Sequence, residues 1–247
     1  MHKLLKMQLR NIFHSKLFYV CLGITLLLSP VLSFVADVAL KGVKIADEVL
    51  ISDPIKAFPE MASFMRGEVS LVTTVFVVLF CCLDFNEGTA KNIIARGYSK
   101  VQYLFSKYIS TIIGVCVMYL VTLVLTFVLF FRNGIGFESS LLFEILNNFI
   151  ASLAVIIMYS TISLILEKNG TAIIACLFAP SIISLILSLL DNYLHLNVAK
   201  YWIENISKIY LNNPTTGNFL LTTLYYGIYI VFFVLLGNYL FKSKEIK

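Results

Sequence analysis

The chain has 247 residues, of which 59% are apolar and 13% charged, with a mean hydropathy of +0.89 and a formal net charge of +5. Soluble domains carry about 25% charged residues, so this composition excludes an ordinary soluble protein. Only helices and closed barrels satisfy their backbone groups in a bilayer, and the apolar runs here have helix length without the alternation of barrel strands. We predict an all-α polytopic membrane protein with a single domain over residues 1–247.

The amino-terminal segment, residues 1–16, has the pattern of an amphipathic helix. Lys3, Lys6 and Arg10 recur at spacings of three and four, while apolar residues occupy the opposite face. Helices of this kind lie flat in the headgroup layer of a membrane. We predict an interface helix here, which serves either as a lipid anchor or as a contact for a partner.

Six apolar runs follow, and we predict each to be a transmembrane helix, which needs about 20 apolar residues. They are Leu17–Ala36, Val69–Leu83, Ile109–Phe131, Ile145–Leu166, Thr171–Leu190 and Phe219–Phe241. With six spans, both termini lie on one side. Most of the 19 lysines and arginines fall on that same side, so the positive-inside rule places both termini in the cytoplasm.

The six predicted spans contain no Asp, Glu, Lys, Arg or His. Intramembrane charge marks proton relays and ion-coupling sites, so an ion-driven carrier is disfavoured. Nucleophilic catalysis needs a base beside the hydroxyl, and the three histidines lie at span margins or in loops. The chain also lacks the Gly-x-x-x-x-Gly-Lys-Ser/Thr pattern of a P-loop, so any ATP would be bound by another chain. We therefore expect no enzyme activity, no metal site and no cofactor in this chain.

A polar segment, residues 84–107, separates the second and third spans. Asp84 and Glu87 have the spacing of a capping box, which predicts that a helix begins there. Gly97 can adopt a positive φ, so it is expected to end this helix. Ser99 and Gln102 form a second capping box, which starts the helix that continues into the third span. This organisation indicates a binding element; the alternative is a loop whose charge only anchors the chain by the positive-inside rule.

At these residues the sequence resembles the permease subunits of type-2 ATP-binding-cassette exporters, which have six spans, cytoplasmic termini and a coupling helix after the second span. The matching residues are Glu87, Gly88, Thr89, Lys91, Asn92, Gly97, Ser99, Lys100 and Lys107. The resemblance implies that residues 86–97 insert into a groove on a separate cytoplasmic ATPase, which binds ATP and Mg, while residues 2–16 flank it. The coupling residues would then be Glu87, Gly88, Thr89, Lys91, Asn92, Arg96, Gly97 and Lys100, with Lys3, Lys6 and Arg10 on the interface helix.

The same resemblance implies a second permease subunit, identical or paralogous, and a multi-pass location in the plasma membrane of a bacterium. The small size and composition resemble Gram-positive peptide exporters of the lantibiotic-immunity and phenol-soluble-modulin types, which implies export of amphipathic peptides. Membrane lipid is an expected partner, and nucleic acid is not. The alternative function is a non-transporting membrane module, such as a sensor or assembly factor, whose basic loop recruits a cytoplasmic partner.

Two predicted external segments are long enough to carry structure. Residues 191–218 place Val198, Trp202 and Ile206 near helical spacing, and a tryptophan suits a membrane interface. We predict a short amphipathic helix there, which either anchors the chain or gates an exit path. Residues 37–68 are expected to carry a similar element.

Overall fold

The computed structural model describes residues 2–28, 71–131, 139–194 and 197–243. Every regular element in these residues is helical, which confirms the all-α prediction for this part of the chain. The helices are α1 (His2–His14), α2 (Lys16–Leu28), α3 (Leu71–Asn86), α4 (Thr89–Ala95), α5 (Lys100–Phe131), α6 (Ser139–Leu166), α7 (Asn169–Leu194), α8 (Ile206–Asn212) and α9 (Thr216–Ser243), with a 3₁₀ turn at Ala199–Tyr201.

Four helices, α5, α6, α7 and α9, are long and apolar enough to cross a membrane, and the number rises to six if the bent pairs α1–α2 and α3–α4 each count as one span. A rise of about 1.5 Å per residue makes even the 26-residue α7 longer than the hydrocarbon layer. The last four predicted spans lie within these four helices. Residues 29–36 and 69–70 of the first two spans lie outside the described residues, as does the predicted element at 37–68.

Each bent pair changes direction at a short break with a local cause. The axes of α1 and α2 differ by 56° across Ser15, whose Oγ accepts a hydrogen bond from the Phe18 backbone N–H at 3.1 Å and caps α2. The axes of α3 and α4 differ by 66°. Gly88 adopts φ +67° at this second break, a conformation that glycine reaches without steric cost.

Helix α6 lies at the centre of the bundle and packs against α5, α7, α8 and α9. Hydrogen bonds of hydroxyl groups join the middle of α6 to α5 and to α9. The Tyr108 hydroxyl on α5 lies 2.8 Å from Thr161 Oγ1 on α6, and Thr161 Oγ1 lies 3.3 Å from the Phe233 carbonyl on α9. A Cβ at Gly237 would collide with the Tyr108 hydroxyl, so this glycine permits the close approach of α9.

The bundle has two ends, which we name after their short elements. At the α1 end, α1 packs on α5, and the carboxyl end of α9 reaches the start of α5, where Phe241 stacks on Tyr103 with ring centroids 5.9 Å apart. At the α8 end, α8 packs on α6 and α9, with the Tyr210 and Phe219 rings 6.1 Å apart. Helix α8 lies within 191–218, the segment for which a short helix is predicted.

Helices α7 and α9 leave most of their surface uncovered. Only 11% of the most apolar segment of each is buried, against 56% for α6. Exposed apolar residues run along α7 from Ile174 to Leu190. An apolar surface of this length is a liability in water and indicates a face covered by lipid or by another membrane chain. The fold therefore supports a multi-pass membrane protein.

Candidate functional site

Helix α4 presents polar side chains outward at the α1 end. Its buried side is small and apolar, since Ala90 and Ile93 are 1% and 6% exposed. The exposed residues on and beside it are Glu87, Gly88, Lys91, Asn92 and Arg96, and Thr89 is half-buried. Gly97 is also exposed, in the turn after α4, so the structure brings seven of the eight predicted coupling residues to one short, outward-facing helix and its two flanking turns.

The predicted helix start at Asp84 is wrong. Helix α3 continues through Asp84 to Asn86, and α4 begins only at Thr89. Asp84 does not cap a helix because its side chain turns into the bundle, where the residue is 2% exposed. The predicted end of the helix is confirmed: Gly97 adopts φ +90°, and its backbone N–H donates to the Ile94 carbonyl at 2.9 Å.

The second capping box is confirmed at the start of α5. The Ser99 backbone N–H donates to Gln102 Oε1 at 3.3 Å, and the Gln102 backbone N–H donates to Ser99 Oγ at 3.2 Å. The adjacent Lys100 extends to the end of α9, where its Nζ donates to the Lys242 carbonyl at 3.2 Å. This contact ties the connection after α4 to the carboxyl end of α9.

A buried polar cluster lies directly beneath α4, and we call it the buried anchor: Gln8, Asp84, Tyr103 and Lys107. A single oxygen, Asp84 Oδ2, accepts hydrogen bonds from Gln8 Nε2 at 2.9 Å and from the Tyr103 hydroxyl at 3.0 Å. Lys107 Nζ forms an ion pair with the same oxygen at 3.0 Å. One atom of α3 therefore binds both α1 and α5.

Lys107 is fully buried in α5, although the sequence pattern assigns it to a solvated polar segment. Besides Asp84, its ammonium group donates to the Phe80 carbonyl at 3.0 Å and lies 4.0 Å from the centre of the Phe80 ring. Burying a charge is expensive unless it is paired and hydrogen-bonded, and these contacts meet that condition. The candidate span Lys100–Val124 contains Lys107, and the candidate span Leu142–Leu166 contains Glu144. The spans predicted from the sequence begin later, at Ile109 and Ile145, and so exclude both residues.

The buried anchor also holds α4. Thr89 Oγ1, in the first turn of α4, donates to the Asp84 backbone carbonyl at 3.3 Å. The carbonyl of Asp84 therefore binds α4, and its carboxylate binds α1 and α5. Three donors on one oxygen hold the Asp84 carboxylate in a fixed position. A displacement of α3 at this residue would therefore also displace α1 and α5.

Helix α1 has the predicted amphipathic character, with Lys3, Lys6 and Arg10 exposed. Its buried side consists of Leu4, Gln8 and Ile12, and it docks on α5 through these residues. The Ile12 side chain approaches Gly114 of α5, where an added Cβ would lie 3.6 Å from Ile12 Cδ1. The basic face of α1 therefore lies on the same end of the bundle as the polar face of α4.

Sequence reasoning missed the anchor residues as a group, although a signal for each is present. Gln8 shares the four-residue spacing of the buried Leu4 and Ile12, so it is a polar residue in a packed stripe. Asp84 directly follows the second apolar run, and Lys107 lies two residues before the start of the third. An acid and a base at facing ends of neighbouring spans are candidates for an ion pair, because a buried charge requires a partner.

The fold and this site define an all-helical membrane protein with several spans and a short polar helix fixed to one end of its bundle. Residues 46–247 match the sequence model of a family described as "Protein of unknown function (DUF2705)", so the chain belongs to that family. No curated protein matches the chain.

Proposed function

We propose that this chain is the membrane-spanning permease subunit of an ATP-driven exporter and that a separate cytoplasmic ATPase drives it. The observation that carries the proposal is α4: a short helix with an exposed polar face, whose first turn is bonded to the buried anchor. A partner that pushes on α4 pushes directly on α3 and α5. This arrangement is what a coupling element requires, because force must pass from a soluble subunit into the spans.

In this proposal α2 and α3 belong to the first two of six spans, α1 and α4 lie outside the bilayer, and both termini lie in the cytoplasm. The basic side chains exposed at the α1 end support that orientation under the positive-inside rule. They include Lys3, Lys6, Arg10, Lys91 and Arg96. The ATPase receives α4 in a groove and contacts the basic face of α1 beside it, and ATP and Mg are bound by the ATPase alone.

The uncovered faces of α7 and α9 support a second permease subunit, identical or paralogous, beside this one.

Amphipathic peptides are the proposed cargo, since they match an apolar interior that contains hydroxyl groups. Examples are the hydroxyl groups of Tyr108, Thr111, Ser160 and Thr161 at the centre of the bundle. The proposed location is the plasma membrane of a bacterium.

The test is co-purification of the full chain with the ATP-binding-cassette ATPase encoded beside it. The variant Lys91→Glu with Arg96→Glu reverses two exposed charges on α4 and should abolish association while leaving thermal unfolding unchanged. The matched control is Lys208→Glu, which reverses an exposed charge at the α8 end and should leave association intact. If the intact chain binds no ATPase, the exporter proposal is wrong. Association without ATP-dependent peptide movement in proteoliposomes would instead identify a non-transporting module.

A further inference from the structure

The chain between α7 and α9 turns back into the bundle from the α8 end. The Asn205 side-chain nitrogen donates to Ser184 Oγ on α7 at 3.1 Å, and the Tyr201 carbonyl accepts from the Tyr229 hydroxyl on α9 at 3.1 Å. Ser184 lies ten residues before the end of α7, and Tyr229 lies thirteen residues after the start of α9. At a rise of about 1.5 Å per residue, the two residues lie about 15 and 20 Å from these helix ends. We call residues 198–210 the re-entrant segment.

The contacts with α7 and α9 place the re-entrant segment at the depth of the hydrocarbon layer, which is about 30 Å thick. The 26 residues of α7 extend over about 39 Å, so at most about 9 Å of a spanning α7 lies beyond the layer at the α8 end. Ser184 therefore lies within the layer wherever α7 spans it. Backbone outside regular helices must at this depth be buried in protein or face water, because lipid cannot satisfy its polar groups.

One side of the re-entrant segment is buried in the bundle. Its residues Ile203, Ile206 and Ser207 are at most 1% exposed, and Tyr210 is 4% exposed. This side packs on α6 and α9 through α8. Only the opposite side is therefore left to face lipid or water.

The opposite side carries two exposed lysines, Lys200 and Lys208. Lys208 Nζ donates to Asn205 Oδ1 at 2.9 Å, and the nitrogen of the same amide is the atom bonded to Ser184. The Lys208 ammonium group is thus held near the depth of Ser184 and does not extend to the headgroups, as lysines in spans commonly do. The Lys200 ammonium group lies 4.9 Å from the centre of the Tyr201 ring, in the part of the segment that contacts α9.

We propose that the re-entrant segment lines a water-filled vestibule that opens at the α8 end, with Lys200 and Lys208 in contact with its water. An exposed ammonium group at this depth is strongly disfavoured in lipid, whereas water solvates it. Irregular backbone at membrane depth is tolerated where it lines such a cavity. The side chains that α7 and α9 expose at the same depth include Leu185 and Leu224, which suit lipid or a membrane partner. The bundle therefore presents an aqueous side and an apolar side at one level.

The test measures how fast introduced cysteines react with sulfonatoethyl methanethiosulfonate, an anionic reagent that does not enter lipid. The full chain is placed in phosphatidylcholine nanodiscs, where both membrane faces are open to the reagent, and labelling is followed by mass spectrometry. The test variants are Lys200→Cys and Lys208→Cys. The matched controls are Leu185→Cys and Leu224→Cys, whose wild-type side chains are 59% and 61% exposed. The five native cysteines stay in place, and the unsubstituted chain gives the background rate.

We expect both test cysteines to react at least about tenfold faster than both controls, because the thiolate is the reactive form and a thiol in apolar surroundings ionises poorly. A fast rate at either test position with slow controls supports the vestibule, so the loss of one variant through misfolding leaves the test intact. Test rates as slow as those of the controls would overturn the proposal, since the lysines would then face lipid or protein. Control rates as fast as the test rates would also overturn it, because this level of the bundle would then lie outside the bilayer. No ATPase takes part, so the result is independent of the exporter proposal.

Discussion

Replacing Lys107 with methionine removes the positive charge of the buried anchor while keeping a side chain of similar length. Asp84 then loses its ion-pair partner at 3.0 Å but keeps the hydrogen bonds from Gln8 and Tyr103. Removing one partner of a buried ion pair costs about 3–5 kcal/mol of stability. Because two donors remain on the carboxylate, we expect a loss near the lower limit, about 3 kcal/mol.

A second substitution tests whether the loss arises from the uncompensated charge. Asp84→Asn combined with Lys107→Met buries no charge and keeps a side-chain oxygen that can accept from Gln8 and Tyr103. The two positions are in contact, so their effects should not add. We expect the double variant to be about 2 kcal/mol more stable than Lys107→Met alone, because replacing both members of a buried pair is close to neutral.

The assay is equilibrium unfolding of the full chain in mixed micelles by sodium dodecyl sulfate, followed by far-ultraviolet circular dichroism. Lys16→Met is the matched control, since Lys16 is exposed at the start of α2, and its effect should stay within about 0.5 kcal/mol. A loss below about 1 kcal/mol for Lys107→Met would be the value of a surface pair and would refute the buried anchor. A double variant no more stable than the single one would refute the charge argument.

Three further substitutions test other parts of the fold. Gly237→Ala places a Cβ against the Tyr108 hydroxyl and should destabilise the bundle by about 1–3 kcal/mol in the same unfolding assay. Gly97→Val forces a branched residue to φ +90°, at a cost of about 1–3 kcal/mol, and should increase hydrogen exchange in α4, whereas Gly97→Asn should be tolerated. Ser99→Ala removes a cap and should cost about 1 kcal/mol, whereas Ser99→Thr should retain most of the stability.

Apolar run length was sufficient to predict the long helices, because a span must satisfy its backbone internally and its side chains must suit lipid. It did not predict where those helices end. Helix α5 begins nine residues before the predicted span at Ile109, since the Ser99 cap starts it at Lys100. A hydropathy scale scores a charged residue as unfavourable even when a neighbour compensates the charge, so the predicted span excluded Lys107, which pairs with Asp84.

The candidate site shows the same limit at the level of single residues. The stop at Gly97 depends only on local backbone conformation, so it could be predicted from the sequence. The environment of Asp84 could not be predicted from the sequence. Its spacing to Glu87 matches a capping box, but its side chain binds Gln8 on α1 and Lys107 on α5. The Asp84 carboxylate could either cap a helix or pair with Lys107. It pairs with Lys107, because the ion pair neutralises a buried base.

The shared oxygen of Asp84 restricts how this protein can vary between species. A neutral residue at position 84 would leave the buried Lys107 ammonium group without its ion-pair partner. Substitutions at 84 and 107 should therefore occur together during evolution or not at all. Tyr103 and Gln8 are less constrained, because losing one neutral donor still leaves the ion pair intact. Sequences of the family should therefore show paired changes at 84 and 107 and independent changes at 8 and 103, a pattern that follows from the chemistry of one atom.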